Sequence, residues 1–173
     1  MDHRLILLRH AKSAWPDGVD DLERPLSERG QQDAGAVGRV LAGVAVPDLV
    51  LCSPAQRTRQ TWQRVLAALD RPADAAPPVT RFVPVIYGAG VPELLDLIRT
   101  VAPDTATTLL IGHEPTMSQT ARELAGAGSL EEDLQRLRLK YPTAGMAVFR
   151  LPGEWAELRG GGAVLEQFLV PRG

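Results

Sequence analysis

Three short apolar runs, RLILL (4–8), DLVLC (48–52) and TTLLI (107–111), constrain this chain more than any other feature. Each has strand length, and each is followed by a segment whose apolar residues recur at helical spacing. After the first, SERGQQDAGAVGRVLA (27–42) predicts a helix with Ser27 as N-cap and Ala34, Val37, Leu41 and Val44 on one face. After the second, SPAQRTRQTWQRVLAAL (53–69) predicts another, with Ser53 as cap and Pro54 in its first turn. Its inward stripe is Trp62, Val65, Leu66 and Leu69. VTRFV (79–83) reads as a weaker strand, followed by a helix from Pro92 to about Thr100. TTLLI leads into PTMSQTARELAG (115–126), a helix closed by Gly126. MAVFRL (146–151) and AVLEQFLV (163–170) finish as strands joined through the loop GEWAELRGGG (153–162). Strand-then-helix units repeated in this way predict a three-layer α/β/α sandwich with a mostly parallel central sheet.

Length and composition narrow the function. At 173 residues the chain fits one domain, 1–173, able to bury about 70% of the surface its unfolded form exposes. RPADAAPP (71–78) is a connector too short to separate domains. A net charge of −2 offers no general attraction for nucleic acid or an anionic membrane. No run approaches the roughly 20 apolar residues that span a bilayer, and no signal-peptide core is visible, so a cytoplasmic location is expected. One cysteine, Cys52, excludes a disulfide framework and a zinc site built on several thiolates. With three histidines in the whole chain, a histidine-rich metal site is not expected either.

The polar residues fall in a pattern. In open α/β sheets, ligands bind beyond the carboxyl ends of the strands. There the first strand delivers Arg9, His10 and Lys12, the second Arg57 and Arg59, and the strand at 107–111 delivers His113. Taken singly, each has an ordinary reading: a packed histidine, a solvated helix arginine, a helix cap. Together they place two of the three histidines and several arginines where a small dianion would sit. Helix N-termini at the same rim add positive potential. A phosphoryl group fits that inventory better than a carboxylate.

LLRHAKS, SPAQRTRQT and IGHEP, in that order, resemble the signature of the histidine phosphatase superfamily, which has the phosphoglycerate-mutase-like fold. The closer resemblance is to its short branch, the SixA-type phosphohistidine phosphatases. DLERPLSERG (21–30) looks like that branch's RPL-S/T-x-x-G segment, KYPTAG (140–145) like its late turn, and FLVPRG like its ending. The resemblance implies His10 as the nucleophile that takes the phosphoryl group. It implies Arg9 and Arg57 as ligands of the phosphoryl oxygens, with His113 as the second histidine of the pocket. Arg24 would line the phosphate entrance. Lys12 stands between that role and a solvated loop lysine. Arg59, Arg64 and Glu114 read as structural, His3 as an exposed terminal residue, Cys52 as a buried apolar side chain. Whether Trp15 reaches substrate is left open.

The chemistry agrees with those assignments. Imidazole attacks phosphorus through an unprotonated nitrogen, so the other ring nitrogen should donate to a fixed acceptor. Arginines and a histidine around the equatorial oxygens would then stabilise developing charge, without metal or cofactor. Larger members of the family carry a glutamate acid between the second and third motifs. Here that stretch reads RFVPVIYGAGVPELLDL, where Tyr87–Gly88 stands in the acid's place and Glu93 reads as a first-turn helix residue. An alkoxide leaving group gains about 10² to 10⁴ in rate from a proton donor. Phosphohistidine does not need one, because its imidazole can already carry a proton. The expectation is therefore a phosphatase acting on phosphohistidine in a partner protein. The alternatives are a broad small-molecule phosphomonoesterase and a non-catalytic phosphate-binding module.

Overall fold

The computed structural model describes residues 2–173. They form six strands and six α-helices in the order β1 (His3–Arg9), α1 (Glu28–Val44), β2 (Leu49–Cys52), α2 (Gln56–Ala68), β3 (Val79–Phe82), α3 (Val85–Gly88), α4 (Val91–Arg99), β4 (Thr107–Gly112), α5 (Thr116–Leu124), α6 (Glu131–Leu139), β5 (Met146–Leu151) and β6 (Val164–Leu169). One sheet runs β3-β2-β4-β1-β5-β6. Its first four strands are mutually parallel; β5 pairs antiparallel with β1, and β6 antiparallel with β5. The sheet is thus mixed, with the expected parallel majority.

Strand β1 shows why the sheet is covered on both faces. Successive side chains point to opposite sides of a strand. Leu5 and Leu7 enter one core with Leu94, Ile98, Met117, Ala121, Leu134 and Leu137. Ile6 and Leu8 enter the other with Ala34, Val37, Leu41, Trp62 and Val65. Helices α4, α5 and α6 therefore cover one face, and α1 and α2 the other. Each Leu or Ile buried this way stabilises the fold by about 1.5–3 kcal/mol. Central parallel strands buried on both faces read as continuous apolar runs, as RLILL and TTLLI do.

Several local expectations need adjustment. Ser27 caps α1, its hydroxyl accepting from Gly30 N at 3.1 Å. Ser53 does not cap α2, which starts three residues later with Ala55 at the N-cap position. Helix α5 ends at Leu124, before Gly126. Helices α3 and α6 were not anticipated; α6 buries only Leu134 and Leu137, too sparse a stripe to mark a helix. His3 is buried, not exposed. Its Nδ1 lies 2.9 Å from Thr105 O, and its ring lies 5.0 Å from that of Trp155. The first residue of a central strand is covered by the loop after β5, whatever its distance from the terminus.

Candidate active site

Adjacent strands β2, β4 and β1 all end at the same edge of the sheet. The residues just beyond them, Ser53, His113 and His10, are thereby gathered without any long loop. Strand β5 runs the other way, so the turn 140–145 before it reaches the same edge. That turn clamps the chain at the end of β1. Ala144 N donates to the carbonyls of Arg9 and His10 at 3.2 and 3.1 Å, and Arg9 N donates to Gly145 O at 3.0 Å. On the other side His10 N donates to Gly112 O at 3.1 Å.

His10 is 7% exposed. Its Nδ1 lies 2.7 Å from the carbonyl of Ala11, which can only accept, so Nδ1 carries the proton and Nε2 is left with a free lone pair. Burial, assisted by the neighbouring His113, Arg57 and Arg9, pulls its pKa down to about 3. The ring is neutral at neutral pH. The His113 ring stands 5.4 Å away, centre to centre, and its Nε2 lies 2.7 Å from the Ser53 hydroxyl. Burial and then the Arg57 and Arg9 charges lower its pKa to about 4.

Arg57 sits in the first turn of α2 and is buried. Its two terminal nitrogens donate to Asp21, one to the main-chain carbonyl at 2.7 Å and one to the carboxylate at 3.0 Å. Arg24, also buried, donates to the other oxygen of Asp21 at 2.9 Å and to the Ser13 hydroxyl. Its guanidinium lies 3.1 Å from the centre of the Trp15 ring, which is 76% exposed at the rim. The Tyr87 phenol donates to Asp21 at 2.5 Å and meets the His113 ring edge-on at 5.5 Å. Tyr87, Arg24 and Arg57 together hold the Asp21 carboxyl far below the usual carboxylate range, so it is ionised at any working pH.

Arg9, His10, Lys12, Arg24, Arg57 and His113 all line one pocket of about 270 Å³, with Ser13, Trp15, Glu114 and Thr143. All six sequence candidates are thus brought together. Lys12 is exposed at its edge, and its carbonyl receives Ser27 N and the Ser27 hydroxyl. From the sequence Ser53 reads only as a helix cap and Tyr87 only as the residue in the acid's place, and Asp21 is missed. The strand-end rule, applied to the residue right after β2, would have found Ser53. Glu114 accepts from Ser118 N at the start of α5, and Glu93 from Gly90 N at the start of α4, both in helix-start roles. Arg59 lies outside, donating to Pro54 O and lying over Phe82.

Three buried nitrogens of the pocket, Nε of Arg9, Nε of Arg57 and Nδ1 of His113, have no hydrogen-bond partner among the described residues. Buried polar atoms left unpaired are costly, and an oxyanion with several lone pairs would satisfy them. No group of three or more His, Cys, Asp or Glu suited to a metal ion occurs among the described residues. No described helix is long and apolar enough to cross a membrane.

Residues 5–78 match the family described as the histidine phosphatase superfamily, branch 1. An uncharacterized protein of Mycobacterium tuberculosis, Rv1276c, is 41% identical over 167 residues, covering 95% of this chain and all of the relative. A structure from Nakamurella multipartitia, provisionally named phosphohistidine phosphatase SixA, superposes with a TM-score of 0.83 at 33% identity. It covers 99% of this chain and 97% of its own. A crystal structure from Agrobacterium tumefaciens with the same provisional name gives 0.78 at 31%, covering 98% of each chain. The order of motifs, the strand-end pocket and these relatives agree: the chain belongs to the histidine phosphatase superfamily.

Proposed function

We propose that the protein is a phosphatase that transfers the phosphoryl group of phosphohistidine in a partner protein to His10 and then to water. The observation that carries this reading is the fixed tautomer of His10, with Nε2 unprotonated at the floor of a cationic pocket. Nε2 attacks phosphorus as the P–N bond of the substrate breaks, and the departing imidazole keeps the electron pair. A water molecule then attacks the phosphoenzyme, its proton passes to solvent, and His10 is regenerated with inorganic phosphate. Arg9, Arg57 and His113 stabilise the charge on the equatorial oxygens, each such donor contributing about 3 kcal/mol.

The leaving-group side favours P–N over ester chemistry. Of the carboxylates at the pocket, Asp21 is held ionised by Tyr87, Arg24 and Arg57, and Glu114 is engaged with Ser118 N. Neither supplies a ready proton for an alkoxide. The pocket is also small, so it accommodates a phosphoryl group while the rest of the substrate stays outside.

The test is a substrate panel: phosphoramidate and a phosphohistidine protein against phosphoglycerate and sugar phosphates. A preference for the P–N compounds is expected, with an acid-labile, base-stable phosphoenzyme on rapid quenching that His10→Ala lacks. Preference for the esters would overturn the substrate class, and an active enzyme without the adduct would overturn the covalent route.

A further inference from the structure

Beside the phosphoryl pocket, and sharing Arg9, Lys12 and Thr143 with it, lies a second cleft of about 310 Å³. Arg9, Lys12, Arg29, Lys140 and Arg172 face it, against one carboxylate, Asp33. In a chain whose 21 acidic residues outnumber its 19 Lys and Arg, this is a local reversal of sign.

Asp33 does not neutralise that surplus. It is 2% exposed, its Oδ2 stands 3.7 Å from both Arg29 and Arg172, and its Oδ1 accepts from Gly173 N. One buried carboxylate is thus divided between two guanidinium groups, neither at hydrogen-bond distance. Arg172 also donates to Thr143 O at 3.0 Å, which ties it to the wall shared with the His10 pocket. Lys12 and Lys140 are exposed and form no ion pair among the described residues. The cations come from four separate parts of the chain: the end of β1 with the loop after it, helix α1, the turn 140–145 and the segment after β6. Arg29 is 72% exposed at its side chain. So open a rim of cations suits an extended acidic surface better than a small enclosed ligand.

We propose that this cleft binds Asp or Glu side chains flanking the phosphohistidine of the partner protein, so that the enzyme selects phosphorylated sites in an acidic context. The proposal rests on the phosphohistidine reading of the His10 pocket and names the neighbourhood of its substrate. Charges at such a rim act chiefly on encounter and specificity, and salt weakens them.

The experiment compares the wild type with an Arg29→Glu/Lys140→Glu double variant, both positions being exposed and outside the phosphoryl machinery. Substrates are phosphoramidate, a phosphohistidine peptide flanked by Glu, its Gln counterpart, and a small bisphosphate ester. At low salt the wild type should favour the Glu peptide in kcat/KM by roughly tenfold. That preference should vanish in the variant and in high salt, with phosphoramidate turnover unchanged. Equal use of the two peptides by the wild type, or an equal loss on phosphoramidate, would overturn the proposal. So would a charge dependence confined to the bisphosphate. Binding of the unphosphorylated Glu peptide to both proteins reads the cleft without catalysis. Should neither protein turn over any P–N compound, the His10 reading fails while that binding difference still decides the cleft.

Discussion

Asp21 accepts from Arg57 twice, at its main-chain carbonyl 2.7 Å from one terminal nitrogen and at its carboxylate 3.0 Å from the other. The guanidinium fork is thereby locked in orientation before any substrate arrives. A lysine at 57 would keep the charge and lose the fork. Arg57→Lys should lower kcat/KM roughly 10- to 100-fold, the loss of one charge-assisted hydrogen bond at about 1.5–3 kcal/mol. Asp21→Ala, which frees the fork but leaves the arginine, should cost less. A greater loss in Asp21→Ala than in Arg57→Lys, in steady-state assays, would give Asp21 a direct role instead.

Ser53 bears on His113 in the same way. Its hydroxyl, 2.7 Å from Nε2, sets the angle at which the ring faces His10. Ser53→Ala should reduce kcat about tenfold and change KM little, because the ring stays but is no longer oriented. Retained kcat would mean that packing alone positions His113.

The depressed pKa of His10 has a consequence for stability. Between the ordinary value of 6.5 and about 3, the unfolded chain binds a proton at this position that the folded chain refuses. Stability should therefore fall as pH drops below about 6.5, by up to about 1.4 kcal/mol per pH unit for this residue. Above 6.5 the group is neutral in both states and contributes no slope. Urea melts between pH 4.5 and 7 should show a flatter pH dependence for His10→Gln than for the wild type. Parallel profiles would contradict the shift.

Gly30 in the RPL-S-x-x-G segment is required by contact. A Cβ there would lie 2.0 Å from the carbonyl oxygen of Lys12, in the loop that carries the candidate catalytic residues. Gly30→Ala should destabilise by about 1–3 kcal/mol and reduce activity together, as the loop is pushed from α1. Gly43→Ala, in the same helix with open space around it, should be neutral or stabilising by up to about 1 kcal/mol. Equal melting temperatures for the two variants would show that the loop yields freely.

The pocket was legible where chemistry follows a strand. Arg9, His10 and His113 stand at strand ends and Arg57 in the first turn of the helix after one, and strand ends are visible as apolar runs that stop. Asp21 and Tyr87 follow no such landmark. Asp21 sits in a short turn of the loop before α1, and Tyr87 in a one-turn helix beyond an exposed edge strand. Their meeting at 2.5 Å depends on how two loops fold over the rim, which no local period encodes. His3 was misread for a related reason: its burial comes from Trp155 and Thr105, more than 100 residues away in the chain.

The turn 140–145 closes over the end of β1 while β4 holds its other side, so the peptide groups of Arg9 and His10 are bonded from both directions. In native-state hydrogen exchange, the amides of Arg9 and His10 should belong with those that exchange only when the whole sheet opens. Substrate thus meets a His10 whose backbone is already fixed in place.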